Sequence, residues 1–132
     1  MVHIQNISAE SSEVQEFRRV VWTGKSSQLV LMSVPPGGDI GEEVHHVDQH
    51  LFFTAGKAKA VVGGEEKVVE AGDLVIVPQG VKHNFVNAGP TPFTLYTVYA
   101  PAEHDPRSVH KTKEEGDKLE DEGKDEAPKW AK

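Results

Sequence analysis

The chain contains no cysteine. Disulfides therefore cannot hold the fold together, and any bound metal must be held by nitrogen and oxygen donors instead of thiolates. Long apolar runs are also missing. Nothing approaches the ~18 consecutive apolar residues of a membrane-spanning helix. The opening stretch, Met1-Val2-His3-Ile4-Gln5-Asn6, has neither the basic nor the apolar region of a secretory signal. The expectation is a cytoplasmic protein with no membrane partner. Clustered positive charge is absent too: 14 Lys and Arg stand against 21 Asp and Glu, for a net charge of −7. A phosphate backbone is thus not an expected partner, which sets nucleic-acid binding aside.

Short apolar or β-branched runs make up the first hundred residues. Residues 17 to 22 and Gln28 to Val34 read as strands, the second halted by Pro35-Pro36-Gly37-Gly38. An extended run from Glu42 to Phe53 follows, closed by Gly56. Lys57 to Val62 and Glu66 to Val69 flank Gly63-Gly64, a hairpin signal because glycine tolerates positive φ at both positions. Leu74 to Val77 ends at Pro78, and two further runs cover His83 to Val86 and Phe93 to Tyr99. Strands at about ten-residue intervals, with no long segment of 3.6-residue period, predict an all-β barrel or sandwich. Phe52, Phe53, Phe85, Phe93 and Trp22 are its expected core aromatics.

The expected division is a barrel over residues 1–102 and a charged C-terminal tail over 103–132. Ten acids and seven bases occupy the last thirty positions, with Val109, Leu119 and Trp130 as the large apolar side chains. Thr112-Lys113-Glu114-Glu115 has capping-box spacing, so a short helix could start there, although Gly116 and Gly123 weaken it. Either the tail is solvated and partly disordered, or it is a strap along the barrel pinned by Trp130. His104 and His110, lying in it, are expected to be exposed.

Chemistry concentrates in two segments. Glu43, His45 and Gln49 fall at i, i+2 and i+6, so strand alternation would point all three to one face. His83 follows the turn Pro78-Gln79-Gly80-Val81-Lys82, which could aim its imidazole at the barrel mouth. Two imidazoles and one carboxylate suit Fe, Mn or Zn as a single divalent ion and leave positions open for a small-molecule ligand. Gln49 would be a weaker neutral oxygen donor, or would lie just behind the ion. With one carboxylate the site keeps a +1 charge, which favours an anionic ligand. His46, His50, Glu42 and Asp48 are out of phase with this face. Tyr96 or Tyr99 could bring a hydroxyl to the pocket.

Gly72, Pro78, Gly80, His83 and Asn87 match every fixed position of the second cupin motif, and the chain resembles small single-domain cupins of the mannose-6-phosphate-isomerase-like branch. Counting back from Gly56, Gln49 takes the place of the first motif's glutamate, His45 of its second histidine and Glu43 of its first. Two of four ligand positions therefore depart from the usual three histidines and one glutamate. The resemblance implies a double-stranded β-helix, or jelly-roll, barrel that commonly pairs into a homodimer. The resemblance implies fold and site more than a reaction; the open positions of the site motivate metal-dependent catalysis of oxygenase or isomerase type on a small oxygen-rich molecule. Glu43 would be both ligand and proton acceptor. The alternatives are a non-catalytic module that binds a sugar or organic acid, and a structural barrel with a vestigial site.

Overall fold

A computed structural model describes residues 2–131. Met1 and Lys132, the outermost residues of the expected barrel and tail, lie outside the described residues. Two antiparallel sheets face each other. Strands β1 (Arg18–Thr23), β2 (Gln28–Val34), β3 (Asp48–Ala55), β6 (Leu74–Val77), β8 (Phe93–Ala100) and β9 (Val109–His110) form a six-stranded sheet in the order β6-β3-β8-β2-β1-β9. Strands β4 (Lys57–Val62), β5 (Glu65–Glu70) and β7 (His83–Asn87) form a three-stranded sheet in the order β5-β4-β7. This is the expected all-β double-stranded helix, and each break falls where turn chemistry demands it. Gly63 and Gly64 take φ of 56° and 87° at the β4–β5 tip, the left-handed pair that matches hairpin twist.

The inward rows follow from strand alternation and register. Phe53, Leu95 and Met32 lie side by side across β3, β8 and β2, and Leu51, Thr97 and Val30 form the next row. Opposite them Ala58, Ala60 and Phe85 project from the smaller sheet, and together these residues form the buried core with Phe93, Val34 and Val69. One row further along, the side chains turn polar: Gln49 and Gln28 both stand directly across from Tyr99. Thus the apolar core ends in a polar layer.

Three expectations need correction. The run from Glu42 to Phe53 is regular strand only from Asp48; Glu43 makes an isolated bridge to His83. Trp22 is 42% exposed, not core, because it lies on the outward face. Phe52 also faces outward, half-buried and stacked on Tyr96 at a ring separation of 4.7 Å. A short helix α1 (Ile7–Ser12), capped by the Asn6 side chain, was not anticipated from the sequence.

Residues 103–131 are folded back on the barrel. Val109–His110 pairs with β1, and α2 (Lys113–Asp121) starts at Thr112, whose hydroxyl accepts from the Glu115 N–H at 3.1 Å. The Glu115 carboxylate reaches back one residue further than a capping box requires, to the N–H of Lys111 at 2.8 Å. Gly116 lowers the helix propensity, but packing requires a residue without a side chain at this place. A Cβ there would meet His110 Nδ1 at 3.0 Å and Arg18 Nη1 at 3.1 Å. His104 and His110, expected at the surface, are each 1% exposed, whereas Trp130 is 53% exposed and pins nothing. A strap therefore forms, held by polar groups instead of the tryptophan.

A candidate metal centre in the polar layer

Two loops hold each other in place at this end of the barrel. Glu43 and His83 exchange both backbone bonds, at 2.9 and 3.0 Å, while the Gly80 N–H donates to the His45 carbonyl at 2.8 Å. The turn before His83 thus fixes the segment that carries Glu43 and His45. Strand alternation does not bring those two together, since no regular strand runs through them. The turn is itself tied to β3 by the Gln79 N–H, which donates to Asp48 at 2.9 Å.

His45, Gln49 and His83 are buried, and Glu43 is half-buried at the rim. Glu43 Oε2 lies 3.0 Å from His45 Nε2, and the His45 and His83 rings meet edge to face at 4.9 Å. Tyr99 stands edge-on to His45 at 5.6 Å, so it is the tyrosine of this layer, and Tyr96 faces the other way. His46, ahead of β3, is exposed, and His50, one residue from Gln49 on β3 and so on its opposite face, is half-buried.

Hydrogen bonding orients the donors. His83 Nδ1 donates to the Val81 carbonyl at 2.9 Å, which leaves the Nε2 lone pair free. The Thr97 hydroxyl donates to the His50 carbonyl at 2.9 Å, so it can only accept from the Gln49 Nε2 at 3.2 Å. That settles the direction of the Gln49 amide. Its Oε1, like His45 Nδ1, is buried without a partner. A buried carbonyl oxygen left unpaired costs about 1–3 kcal/mol, which coordination to a cation would recover. The donor types, two imidazoles, a carboxylate and an amide oxygen, are those of a nitrogen–oxygen site for a divalent ion, but the ligand atoms of Glu43, His45 and His83 do not all lie within 4.8 Å of one another.

The electrostatics are coupled. Burial pushes the Glu43 carboxyl upward, but the hydrogen bond and charge of His45 outweigh it and hold its pKa below the ordinary value. Burial pulls His45 down, and Glu43, with help from Glu103, raises it above the usual imidazole range. His83 is lowered, chiefly by burial. Glu103 is a residue the sequence reading left in the tail. Its Oε2 stands 3.9 Å from His45 Nε2, and burial together with the like charge of Glu43 raises its pKa.

Behind Tyr99 lies a second polar cluster. His104, Glu120 and Asp125 bring one ligand atom each within 4.8 Å of one another, a spacing that could hold a metal ion. Arg18 already compensates it, with Nη1 at 3.3 Å from Glu120 and 3.9 Å from Asp125. His104 Nδ1 donates to Asp125 at 2.6 Å, and Ser108 donates to the other oxygen of that carboxylate. The remaining nitrogen, Nε2, accepts from the Tyr99 hydroxyl at 3.3 Å. An ion would have to displace the guanidinium and a proton. Sequence reasoning missed this cluster because Arg, Asp and His at such separations carry no motif.

Fold and polar layer together define a cupin barrel. The cupin-domain family matches residues 30–99, so the chain belongs to the cupins. It is 37% identical over 125 residues to YrkC of Bacillus subtilis (strain 168), covering 89% of this chain and 67% of that protein. The crystal structure of BH2720 from Bacillus halodurans superposes with a TM-score of 0.86 at 35% identity, covering 88% of this chain and 93% of that one. A shorter stretch of 58 residues is 38% identical to acireductone dioxygenase of Granulibacter bethesdensis (strain ATCC BAA-1260 / CGDNIH1), spanning 41% of this chain and 32% of that enzyme.

Proposed function

We propose that Glu43, His45, Gln49 and His83 hold one divalent ion, Fe, Mn or Zn, and that the protein is a metal-dependent enzyme of oxygenase or isomerase type. Its substrate would be a small oxygen-rich molecule. The observation that carries this reading is the Gln49 amide, fixed by Thr97 with its oxygen buried and unpaired. A divalent ion supplies Lewis-acid polarisation of a carbonyl or enediol oxygen and, for iron, redox chemistry as well. The protein's own groups do the rest. Glu43, kept ionised by His45 at the rim, is the carboxylate placed to take a proton from a bound substrate. Buried Tyr99 and the apolar rows that begin at Leu51, next along β3 from Gln49, border the inner side of the site. The local likeness to acireductone dioxygenase supports the oxygenase type.

A second reading, a module that binds a sugar or organic acid without turnover, is favoured by one feature. No serine or threonine hydroxyl is hydrogen-bonded to His45 or His83 among the described residues, so catalysis would depend on the ion and its ligands. Metal analysis of purified protein, followed by a turnover screen of diketones, flavonols and ketose phosphates with the loaded protein, separates the two. Turnover supports the enzyme, and stoichiometric metal without turnover supports the module.

The expected homodimer is supported by the outward face of the larger sheet, where Trp22, Leu74 and Ile76 are exposed. A cytoplasmic location is proposed on the same footing; no described helix is long and apolar enough to cross a membrane.

A further inference from the structure

A cleft of about 920 Å³ lies on the outer face of the larger sheet, between the segment after α1, the β2–β3 and β7–β8 loops and the first turn of α2. It sits toward the end of β8 that carries Thr94, whereas the polar layer takes Tyr99 from the other end. Strand alternation makes its floor polar. Met32 and Val34 beside Ser33, and Phe93 and Leu95 beside Thr94, belong to the core, so the two hydroxyl residues between them turn outward. Ser33 and Thr94 stand directly across from each other on β2 and β8. Val14, Phe17, Pro35 and Pro92 add apolar walls.

The floor holds unused hydrogen-bonding capacity. Thr94 Oγ1 lies 2.7 Å from Thr54 Oγ1, which lies 2.9 Å from Ser11 Oγ, so three O–H groups share two bonds and one donor is left over. Ser33 is only 8% exposed, yet its hydroxyl has no hydrogen-bond partner among the described residues. An enclosed hydroxyl left unpaired is costly, and a ligand oxygen seated in the cleft would satisfy it.

We infer that this cleft is a second binding site, separate from the polar layer, for a neutral and mainly apolar small molecule that carries one hydroxyl, a phenol or an alcohol. Its oxygen accepts from Ser33 and donates to Thr94, while its apolar body lies against Phe17 and the two prolines. The charges around the cleft favour an uncharged ligand. Glu13, Asp39 and Glu114 face Lys111 and Lys113, and Lys113 Nζ is already held by Asp117 at 3.0 Å, so a carboxylate would meet net repulsion.

The test titrates the full chain with para-tert-butylphenol and reads the backbone amide signals by NMR. Saturable shifts should centre on Phe17, Ser33 and Thr94 and leave His45 and His83 unmoved. The matching anion, para-tert-butylbenzoate, should bind about fivefold or more weakly. Ser33→Ala removes the unpaired hydroxyl and should weaken phenol binding about fivefold or more, whereas Ser26→Ala, exposed between β1 and β2, should change it less than about twofold. Ser33→Leu fills the floor and should abolish the shifts, and the amide spectrum of each variant reports its fold. No saturable shifts at millimolar phenol, equal binding of the benzoate, or undiminished binding by folded Ser33→Ala would each overturn the inference. None of these results bears on the metal-binding reading, because the cleft shares no residue with the polar layer.

Discussion

The side-chain amide of Gln28 bridges both backbone polar groups of His104, accepting from its N–H at 3.0 Å and donating to its carbonyl at 2.8 Å. One buried residue of β2 thereby fastens the C-terminal strap to the barrel. Gln28→Ala would leave two N–H groups and a carbonyl without partners, at about 1–3 kcal/mol each where water cannot reach them. A loss of about 3–5 kcal/mol is expected. Urea denaturation measures it, and limited proteolysis should cut first within residues 103–131.

Stability should depend on pH through His104. Burial, reinforced by the Arg18 charge, moves its pKa to about 4, although Asp125 pulls the other way. The unfolded imidazole titrates near 6.5, so between these values the unfolded state binds more protons. His104's contribution is therefore fully present above the unfolded value and is lost as pH falls from about 6.5 to about 4, a change of about 3 kcal/mol. Glu120 opposes it. Burial, with help from nearby carboxylates, raises its pKa to about 7 despite Arg18, so its contribution is present at low pH and is lost as pH rises through 7. Comparing wild type with His104→Gln isolates the first effect: their stability difference should grow as pH rises from 4 to 6.5. A difference that stays constant over that range would show that His104 is not held neutral.

The orientation of Gln49 can be tested without touching a proposed ligand. Thr97→Val keeps the side-chain shape but removes the hydroxyl that accepts from Gln49 Nε2. The freed amide can then turn its nitrogen inward, so metal affinity should fall several-fold, in the 10–100-fold range at most. Calorimetry checks this. Unchanged affinity would show that the amide oxygen does not face the ion.

If the outer sheet face pairs two copies, sedimentation at micromolar concentration should show twice the 14.5 kDa mass of one chain. Ile76→Glu places a charge on that face, where the side chain is 51% exposed, and should give the single-chain mass with no loss of fold.

Much of the barrel was legible because turn residues mark its strand ends. Leu74 to Val77, Gln28 to Val34 and the Gly63-Gly64 hairpin fall where periodicity and glycine put them. Spacing pointed to His45, Gln49 and His83, which the fold buries in one layer, but strand alternation does not account for Glu43 and His45, which lie outside β3. Their convergence comes from the Glu43–His83 bridge and the Gly80–His45 bond, both long-range pairings that no local pattern encodes. The strap was hidden for a different reason. His104 and His110 read as surface residues, since polar groups are seldom buried unless paired, and here each finds its partner at a distance in the chain, His104 in Asp125 and His110 in Arg18. Glu103 went unnoticed with them.

The central claim is that the polar layer binds one divalent ion. Calorimetric titration of Mn(II) or Zn(II) into wild type, His45→Ala, His83→Ala, Gln49→Ala and His46→Ala at neutral pH tests it most directly. The account predicts one ion per chain in wild type and binding nearly abolished in either buried-histidine variant. Gln49→Ala should be intermediate, because water can replace a neutral amide oxygen, and His46→Ala should match wild type. Equal losses from His46→Ala and His45→Ala, or full binding by His83→Ala, would contradict it.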